Sequence, residues 1–155
     1  MASRSISAQT WPYVTVGWRY DTDEIGISVA NDGLGPAIIR DVILTIDRNP
    51  QHDIVSALKL SELVRAKGPV VSIDALARGV VIRAGHSVNA FLVHDPVAAR
   101  EILNARPRID LQVCYCSILG HCWTSSVLNP IPSDISSCLD NDSNGLVLPQ
   151  PEPGS

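Results

Sequence analysis

Residues 109–128 have the sequence IDLQVCYCSILGHCWTSSVL. In the first half of this stretch every second residue is large and apolar, namely Ile109, Leu111, Val113 and Tyr115. That alternation is typical of a β-strand with one buried face. A short turn at residues 117–121 follows, and residues 122–128 are expected to return as the second strand of a hairpin. The stretch therefore predicts antiparallel pairing and places Cys114 and Cys116 on the face opposite the core.

Similar strand patterns occur along most of the chain. Strands are predicted at residues 11–20, 25–30, 37–47, 77–83 and 87–93. The last two are expected to pair as a hairpin through Ala84-Gly85-His86. Apolar residues at helical spacing occur at residues 53–66, and a short second helix is predicted to begin at Asp95-Pro96 and to end at about Asn104.

These elements predict a mainly β fold of about seven strands with two short helical insertions. Because most strands are joined by tight turns, we expect an antiparallel β-sandwich with a general immunoglobulin-like architecture. A small, partly open β-barrel is the alternative. The sandwich is expected to occupy residues 9–132. Residues 133–155 are predicted to form a weakly ordered, acidic and Pro-rich tail.

The charge is distributed unevenly along the chain. Twelve basic and sixteen acidic residues give a net charge of −4. Residues 1–132 contain all twelve Lys and Arg residues and twelve of the acids, so the tail carries the whole net charge. The basic residues are scattered singly, which does not predict a nucleic-acid partner. The sequence has no uninterrupted apolar stretch of the roughly 18 residues that a transmembrane helix needs.

A break at residues 31–36 (NDGLGP) separates two of the predicted strands. Asp32 and Gly33 are expected to supply the positive φ angles of a tight turn, and Gly35 precedes Pro36, which starts the next strand. No helix follows the Gly-Leu-Gly run, so it lacks the geometry of a phosphate-binding loop. We interpret Asp32, Gly33, Gly35 and Pro36 as a structural turn.

The strongest chemical signal is the set of four cysteines, Cys114, Cys116, Cys122 and Cys138. A bridge from Cys122 to Cys114 or Cys116 across the predicted hairpin is sterically reasonable, and Cys138 would then reach back from the tail. Four cysteines allow three connectivities, and the sequence does not select among them. Cys116–Cys122 is the bridge that we favour. Disulfides imply an oxidising compartment, whereas free thiols would indicate a cytosolic protein.

Two groups of residues resemble metal sites. Cys114, Cys116, His121 and Cys122 form a ligand set suited to zinc, although their spacing is not the usual C-x2–4-C. A second group, Asp140, Asp142 and Asn144, matches the start of a calcium loop, but its twelfth position is Pro151 rather than a bidentate Glu. We therefore expect no cofactor, with zinc as the alternative and at most weak calcium binding.

The sequence contains none of the common hydrolase or nucleotide-binding motifs. His94-Asp95 resembles a base with its orienting acid, but we interpret it as a strand-end histidine beside a helix N-cap. Three tryptophans, Trp11, Trp18 and Trp123, are expected to pack in the core or at a sheet edge. An exposed tryptophan on a strand would instead form a hot spot for binding a partner.

Several motifs together resemble a group of uncharacterised bacterial membrane-anchored proteins. They are Trp11-Pro12-Tyr13, residues 31–37 (NDGLGPA), Ala84-Gly85, Cys114-Tyr115-Cys116-Ser117 and Cys122-Trp123, in that order. In that group, N-terminal transmembrane helices precede an extracytoplasmic β-rich domain. The resemblance covers residues 9–126 and implies a missing upstream anchor, a periplasmic location and a disulfide.

We therefore expect a non-catalytic sensing or interaction module at the extracytoplasmic face of a bacterial membrane, which binds an unidentified protein or small ligand. The membrane is a partner only through an anchor outside this chain. The alternatives are a metal-binding protein or metal-dependent hydrolase that uses the Cys and His cluster, and a cytoplasmic effector or regulatory domain. A deep pocket that gathers His94 with a carboxylate and a Ser or Cys would count against the first hypothesis.

Overall fold

The computed structural model describes residues 10–51, 70–74 and 76–138. In chain order its strands are β1 (Val14–Tyr20), β2 (Glu24–Asn31), β3 (Ala37–Ile46), β4 (Asn49–Gln51), β5 (Val70–Ser72), β6 (Val81–Ile82), β7 (Ser87–His94), β8 (Ile109–Cys116), β9 (Cys122–Ser126) and β10 (Ser133–Ile135). The helix α1 (Pro96–Asn104) and a turn of 3-10 helix (Arg106–Arg108) lie between β7 and β8. The helix predicted at residues 53–66 lies outside the described residues.

The strands form two antiparallel sheets. The first sheet has the order β1-β2-β7-β5, and the second has the order β10-β9-β8-β3-β4, with β6 paired to the beginning of β3. The prediction of a mainly β, antiparallel fold is therefore confirmed. Among the described strands neither sheet closes on itself, so they form no closed barrel.

Apolar side chains from both sheets and from α1 share one core. Its largest fully buried members are Tyr115, Phe91, Ile25, Ile27, Ile39, Leu44, Leu76, Ile82, Ile102, Ile109 and Leu111. Burying each such side chain stabilises the fold by roughly 1.5–3 kcal/mol. Trp18 is partly buried and packs edge-on against the core residue Phe91, with a centroid distance of 6.3 Å.

The described residues contain ten strands rather than about seven. The additional strands are β4, β5 and β10, which have three residues each and are too short to produce a visible alternation. Of the strand predicted at residues 77–83, only the two residues of β6 are formed. β4 follows β3 through Asp47 and Arg48, which both have positive φ, as the central residues of a two-residue type I′ hairpin turn do. β10 lies beyond residue 132, the predicted end of the domain, and pairs with β9.

The predicted second helix is present. Asp95 caps α1 by accepting a hydrogen bond from the Ala98 amide at 2.8 Å, and Pro96 occupies the first helical turn. Both features follow from the sequence, because a proline at that position removes no helical hydrogen bond and an aspartate satisfies a free amide.

The predicted hairpin between residues 77–83 and 87–93 is wrong. β6 pairs with β3 in the second sheet, whereas β7 pairs with β2 in the first. The chain therefore crosses from one sheet to the other at residues 83–86. Asn31 holds this crossing, because its amide donates to the His86 carbonyl at 2.9 Å and its carbonyl accepts from the Gly85 amide at 2.8 Å.

The side chain of Asn31 is fully buried and uses all of its hydrogen-bonding capacity. Its Oδ1 accepts from the amides of Tyr13 (3.2 Å) and Gly33 (3.0 Å). Its Nδ2 donates to the carbonyls of Gly35 and Ile82, both at 2.9 Å. One residue thus joins the segment before β1, the turn after β2 and the end of β6. The sequence analysis assigned no role to Asn31.

Replacing Asn31 with alanine would leave these two amides and two carbonyls without their partner. We expect Asn31→Ala to lower the free energy of unfolding by roughly 3 kcal/mol or more, because each buried polar group left unpaired costs about 1–3 kcal/mol. The matched control is Asn104→Ala at the exposed end of α1, which should change it by less than about 0.5 kcal/mol. Urea denaturation without reductant measures the free energy of unfolding of both variants. Equal losses of stability in the two variants would contradict the role given to the Asn31 side chain.

Candidate functional site

Two disulfides form on the outer face of the second sheet. Cys116 and Cys122 lie directly opposite each other on β8 and β9 and are bonded, with a Cα–Cα distance of 4.0 Å. Cys114 is bonded to Cys138, which follows β10, with a Cα–Cα distance of 5.8 Å. The structure therefore contains the bridge that we favoured and selects one of the three connectivities.

The cysteines lie on the outer face, as predicted, but most of them are not accessible. Cys114, Cys116 and Cys138 are at most 5% exposed, and Cys122 is half-buried. Ile135 of β10 packs on this cluster. The segment that carries Ile135 and Cys138 was assigned to the tail, yet it covers the outer face of β8 and β9.

The predicted metal ligands are not brought together as a set. The Sγ atoms of Cys116, Cys122 and Cys138 lie within 4.8 Å of one another, and His121 is not part of that group. All four cysteines are in disulfides, so none of them offers a free thiolate. The calcium candidates Asp140, Asp142 and Asn144 lie outside the described residues.

An aromatic cleft lies beside the Cys116–Cys122 bridge. It has a volume of about 530 Å³ and is lined by Trp11, Gly120, His121, Cys122, Trp123, Asp134, Ile135 and Ser136. The rings of Trp11 and Trp123 are 5.7 Å apart and inclined at 69°. The ring of His121 lies 5.8 Å from that of Trp11. We call this feature the aromatic cleft.

The wall of the aromatic cleft is anchored in the core. Trp123 is stacked on its cross-strand neighbour Tyr115, with ring centroids 5.6 Å apart. The Tyr115 hydroxyl accepts a hydrogen bond from the Val14 amide at 3.2 Å, which links β8 to β1. Burial raises the pKa of Tyr115 to about 12, so this hydroxyl stays protonated at physiological pH.

The turn at residues 31–36 positions Trp11. The Trp11 carbonyl accepts hydrogen bonds from the amides of Leu34 (3.1 Å) and Gly35 (3.3 Å). A Cβ atom on Gly33 would overlap the backbone of Trp11 to Tyr13, and one on Gly35 would overlap the Thr10 carbonyl. The prediction of positive φ angles at Asp32 and Gly33 is therefore wrong, since neither residue has one, and the glycines are needed for close backbone approach.

Asp134 supplies a carboxylate at the aromatic cleft. Asp134 lies opposite Trp123 in the β9–β10 register and is exposed. By sequence Asp134 belongs to the acidic tail, because a three-residue strand gives no pattern that would place it beside a tryptophan. All three tryptophans are candidate interaction residues by sequence; the structure brings Trp11 and Trp123 together, whereas the partly buried Trp18 packs against Phe91.

A second polar arrangement occurs at the end of the first sheet. His94 on β7 has its Nε2 2.9 Å from the Ser72 Oγ of β5, and its Nδ1 3.1 Å from the Glu24 Oε2 of β2. The sequence analysis considered Asp95 as the partner of His94, but Asp95 caps α1 instead. The side chains of His94 and Glu24 are 39% and 28% exposed, so the group lies at the surface.

We expect Gly35→Ala to displace Trp11, because the new methyl group overlaps the Thr10 backbone. Near-ultraviolet circular dichroism should then lose the signal that arises from the close Trp11–Trp123 pair, and the free energy of unfolding should fall by about 1–3 kcal/mol. The matched control is Gly17→Ala, because no atom lies within 4 Å of the added Cβ at that position. An unchanged tryptophan signal in the Gly35 variant would contradict this role.

Within the described residues no helix is long and apolar enough to cross a membrane. Comparison with protein-family models, with curated proteins and with solved structures finds no match to this chain. The function is therefore argued from the geometry of the chain itself.

Proposed function

We propose that this chain is a non-catalytic binding module at the extracytoplasmic face of a bacterial membrane, built as an immunoglobulin-like β-sandwich and held at the membrane by an anchor outside this chain. Two disulfides around one hairpin support an oxidising compartment. Two antiparallel sheets around a shared core support the sandwich. The proposal of an anchor is supported by the resemblance of the motifs at residues 9–126 to membrane-anchored proteins.

The aromatic cleft is the proposed ligand site. The observation that carries this proposal is that Trp11 is 43% exposed at the cleft while its ring is held in an inclined contact with Trp123. Large aromatic side chains left open to solvent in a concave site are typical of binding surfaces. Trp11 is the exposed aromatic surface that an occupant would contact, because Trp123 is mostly buried and stacked on Tyr115.

The proposed ligand class is a small organic cation, such as a quaternary ammonium group. Aromatic faces attract cations through the negative potential of the ring, with a gain of about 0.5–2 kcal/mol. Asp134 adds a formal negative charge, and the described residues that line the cleft include no Lys or Arg. An occupant with a positive charge therefore complements both the rings and the carboxylate.

Choline and its neutral isostere 3,3-dimethylbutan-1-ol test this proposal. At pH 8, where an ordinary imidazole is neutral, we expect choline to bind about tenfold more tightly than its neutral isostere. This corresponds to a difference in binding free energy of about 1.4 kcal/mol. Tryptophan fluorescence titration measures both affinities. Trp11→Ala and Asp134→Asn should each weaken choline binding, whereas Tyr20→Ala, an exposed aromatic outside the cleft, should not. Equal binding of the two compounds, or no binding of choline, would overturn the ligand class.

A second candidate function is favoured by Ser72, His94 and Glu24. Their distances of 2.9 and 3.1 Å match a nucleophile, a general base and an orienting acid. In such a group the Ser72 hydroxyl attacks a carbonyl carbon, its proton passes to the His94 Nε2, and Glu24 stabilises the resulting imidazolium. We prefer the binding function because this group lies open to water, whereas electrostatic catalysis gains from exclusion of water.

Hydrolysis of p-nitrophenyl acetate distinguishes the two candidates. If the second candidate holds, Ser72→Ala and His94→Ala will each lose at least tenfold in rate, and a fluorophosphonate will label Ser72. The matched control is His86→Ala, an exposed histidine outside the group, which should retain the rate. Equal rates in all four proteins, without labelling, would support the non-catalytic proposal.

A further inference from the structure

The two disulfides are close enough to exchange partners. The Cys116 Sγ lies 3.9 Å from the Cys138 Sγ, although each sulfur is bonded to a different cysteine. Cys122 belongs to the same group, with its Sγ within 4.8 Å of both. A sulfur–sulfur distance of 3.9 Å is about a van der Waals contact, so a thiolate formed at Cys116 would already touch the neighbouring bridge.

The four sulfurs differ in their access to solvent. Cys114, Cys116 and Cys138 are buried, whereas Cys122 is half-buried and lines the aromatic cleft. An external thiol therefore meets Cys122 first. Thiolates attack the disulfide sulfur that they can reach, so this asymmetry defines the point of entry.

We propose that this cluster is a thiol–disulfide exchange site. An external dithiol reduces the Cys116–Cys122 bridge by attack at Cys122, and the released Cys116 thiolate then breaks the Cys114–Cys138 bridge by attack at Cys138. In the first step one thiolate of the dithiol attacks the Cys122 Sγ. A mixed disulfide forms, the Cys116–Cys122 bond breaks, and Cys116 leaves as a thiolate. This inference does not depend on which ligand the aromatic cleft binds.

In the second step the Cys116 thiolate attacks the Cys138 Sγ. A Cys116–Cys138 bond forms, the Cys114–Cys138 bond breaks, and Cys114 leaves as a thiolate that takes a proton. The second thiol of the dithiol then attacks the mixed disulfide and releases Cys122. One dithiol is thereby oxidised to a disulfide, and the protein retains one bridge and gains two thiols, so electrons and protons balance.

The backbone allows this change of partner. Cys114 and Cys116 are two residues apart on the same face of β8, a spacing of about 6.4–6.8 Å along a strand. Cys138 follows β10, whose Ile135 pairs with Cys122 beside Cys116. The sulfur of Cys138 therefore faces both cysteines of β8 from one position.

Limited reduction of the folded protein tests this proposal. The probe is one equivalent of dithiothreitol, followed by an acid quench, alkylation with N-ethylmaleimide and peptide mapping. We expect label on Cys114 and Cys122 and a Cys116–Cys138 bridge, with Cys114 labelled at least tenfold more than Cys116. Label on Cys116 equal to or greater than that on Cys114 would overturn the relay. Simultaneous loss of both bridges at every dose of dithiothreitol would also overturn it.

Two single variants provide an independent test without reductant. Cys122→Ser leaves Cys116 without its partner, and we expect it to carry the Cys116–Cys138 bridge and a free Cys114. Cys116→Ser is the matched control. It removes the same bridge, but it also removes the Cys116 sulfur that would attack Cys138, so the Cys114–Cys138 bridge should persist. If Cys114–Cys138 persists in both variants, the exchange step is excluded. The experiment on the unmodified protein remains decisive if either variant fails to fold.

Discussion

The architecture depends on the buried side chain of Asn31. A buried amide is stabilising only when its donors and acceptors are satisfied, and here four backbone groups from three chain segments satisfy it. Those segments are the approach to β1, the turn before β3 and the end of β6. No apolar side chain could hold them, because each contributes a backbone polar group that needs a partner. The crossing between the sheets and the position of Trp11 both follow from this arrangement.

The geometry of the aromatic cleft depends on the close backbone packing at the turn of residues 31–36. Gly33 and Gly35 let the backbone of residues 10–13 lie against the turn, which brings Trp11 to the edge of Trp123. Trp123 is in turn fixed by stacking on Tyr115, which reaches across the core to the Val14 amide. The exposed ring is therefore supported by buried contacts. A rigid aromatic surface loses little conformational entropy when a ligand binds.

Long alternating patterns made the central strands and the β8–β9 hairpin predictable, and Asp95-Pro96 made the capped helix predictable. The short strands were not predictable, because two or three residues give no period. The pairing of β6 with β3 was missed because the choice depends on the buried Asn31, and a single asparagine in a turn motif is normally read as a turn former. Ser72, Glu24 and His94 come from three strands that are far apart in the chain. Only the sheet order brings them together, so no local pattern could indicate the group.

The central pairs of both sheets join distant parts of the chain. β2 pairs with β7 through Ala30 and Ser87, and β3 pairs with β8 through Ile46 and Ile109. The first sheet therefore cannot be completed until the chain has been synthesised through β7, and the second cannot be completed until it has been synthesised through β10. Folds dominated by such non-local pairs form slowly, since the entropy of closing long loops is lost before the contacts form. We therefore expect this chain to stay largely unfolded until most of its length has been synthesised.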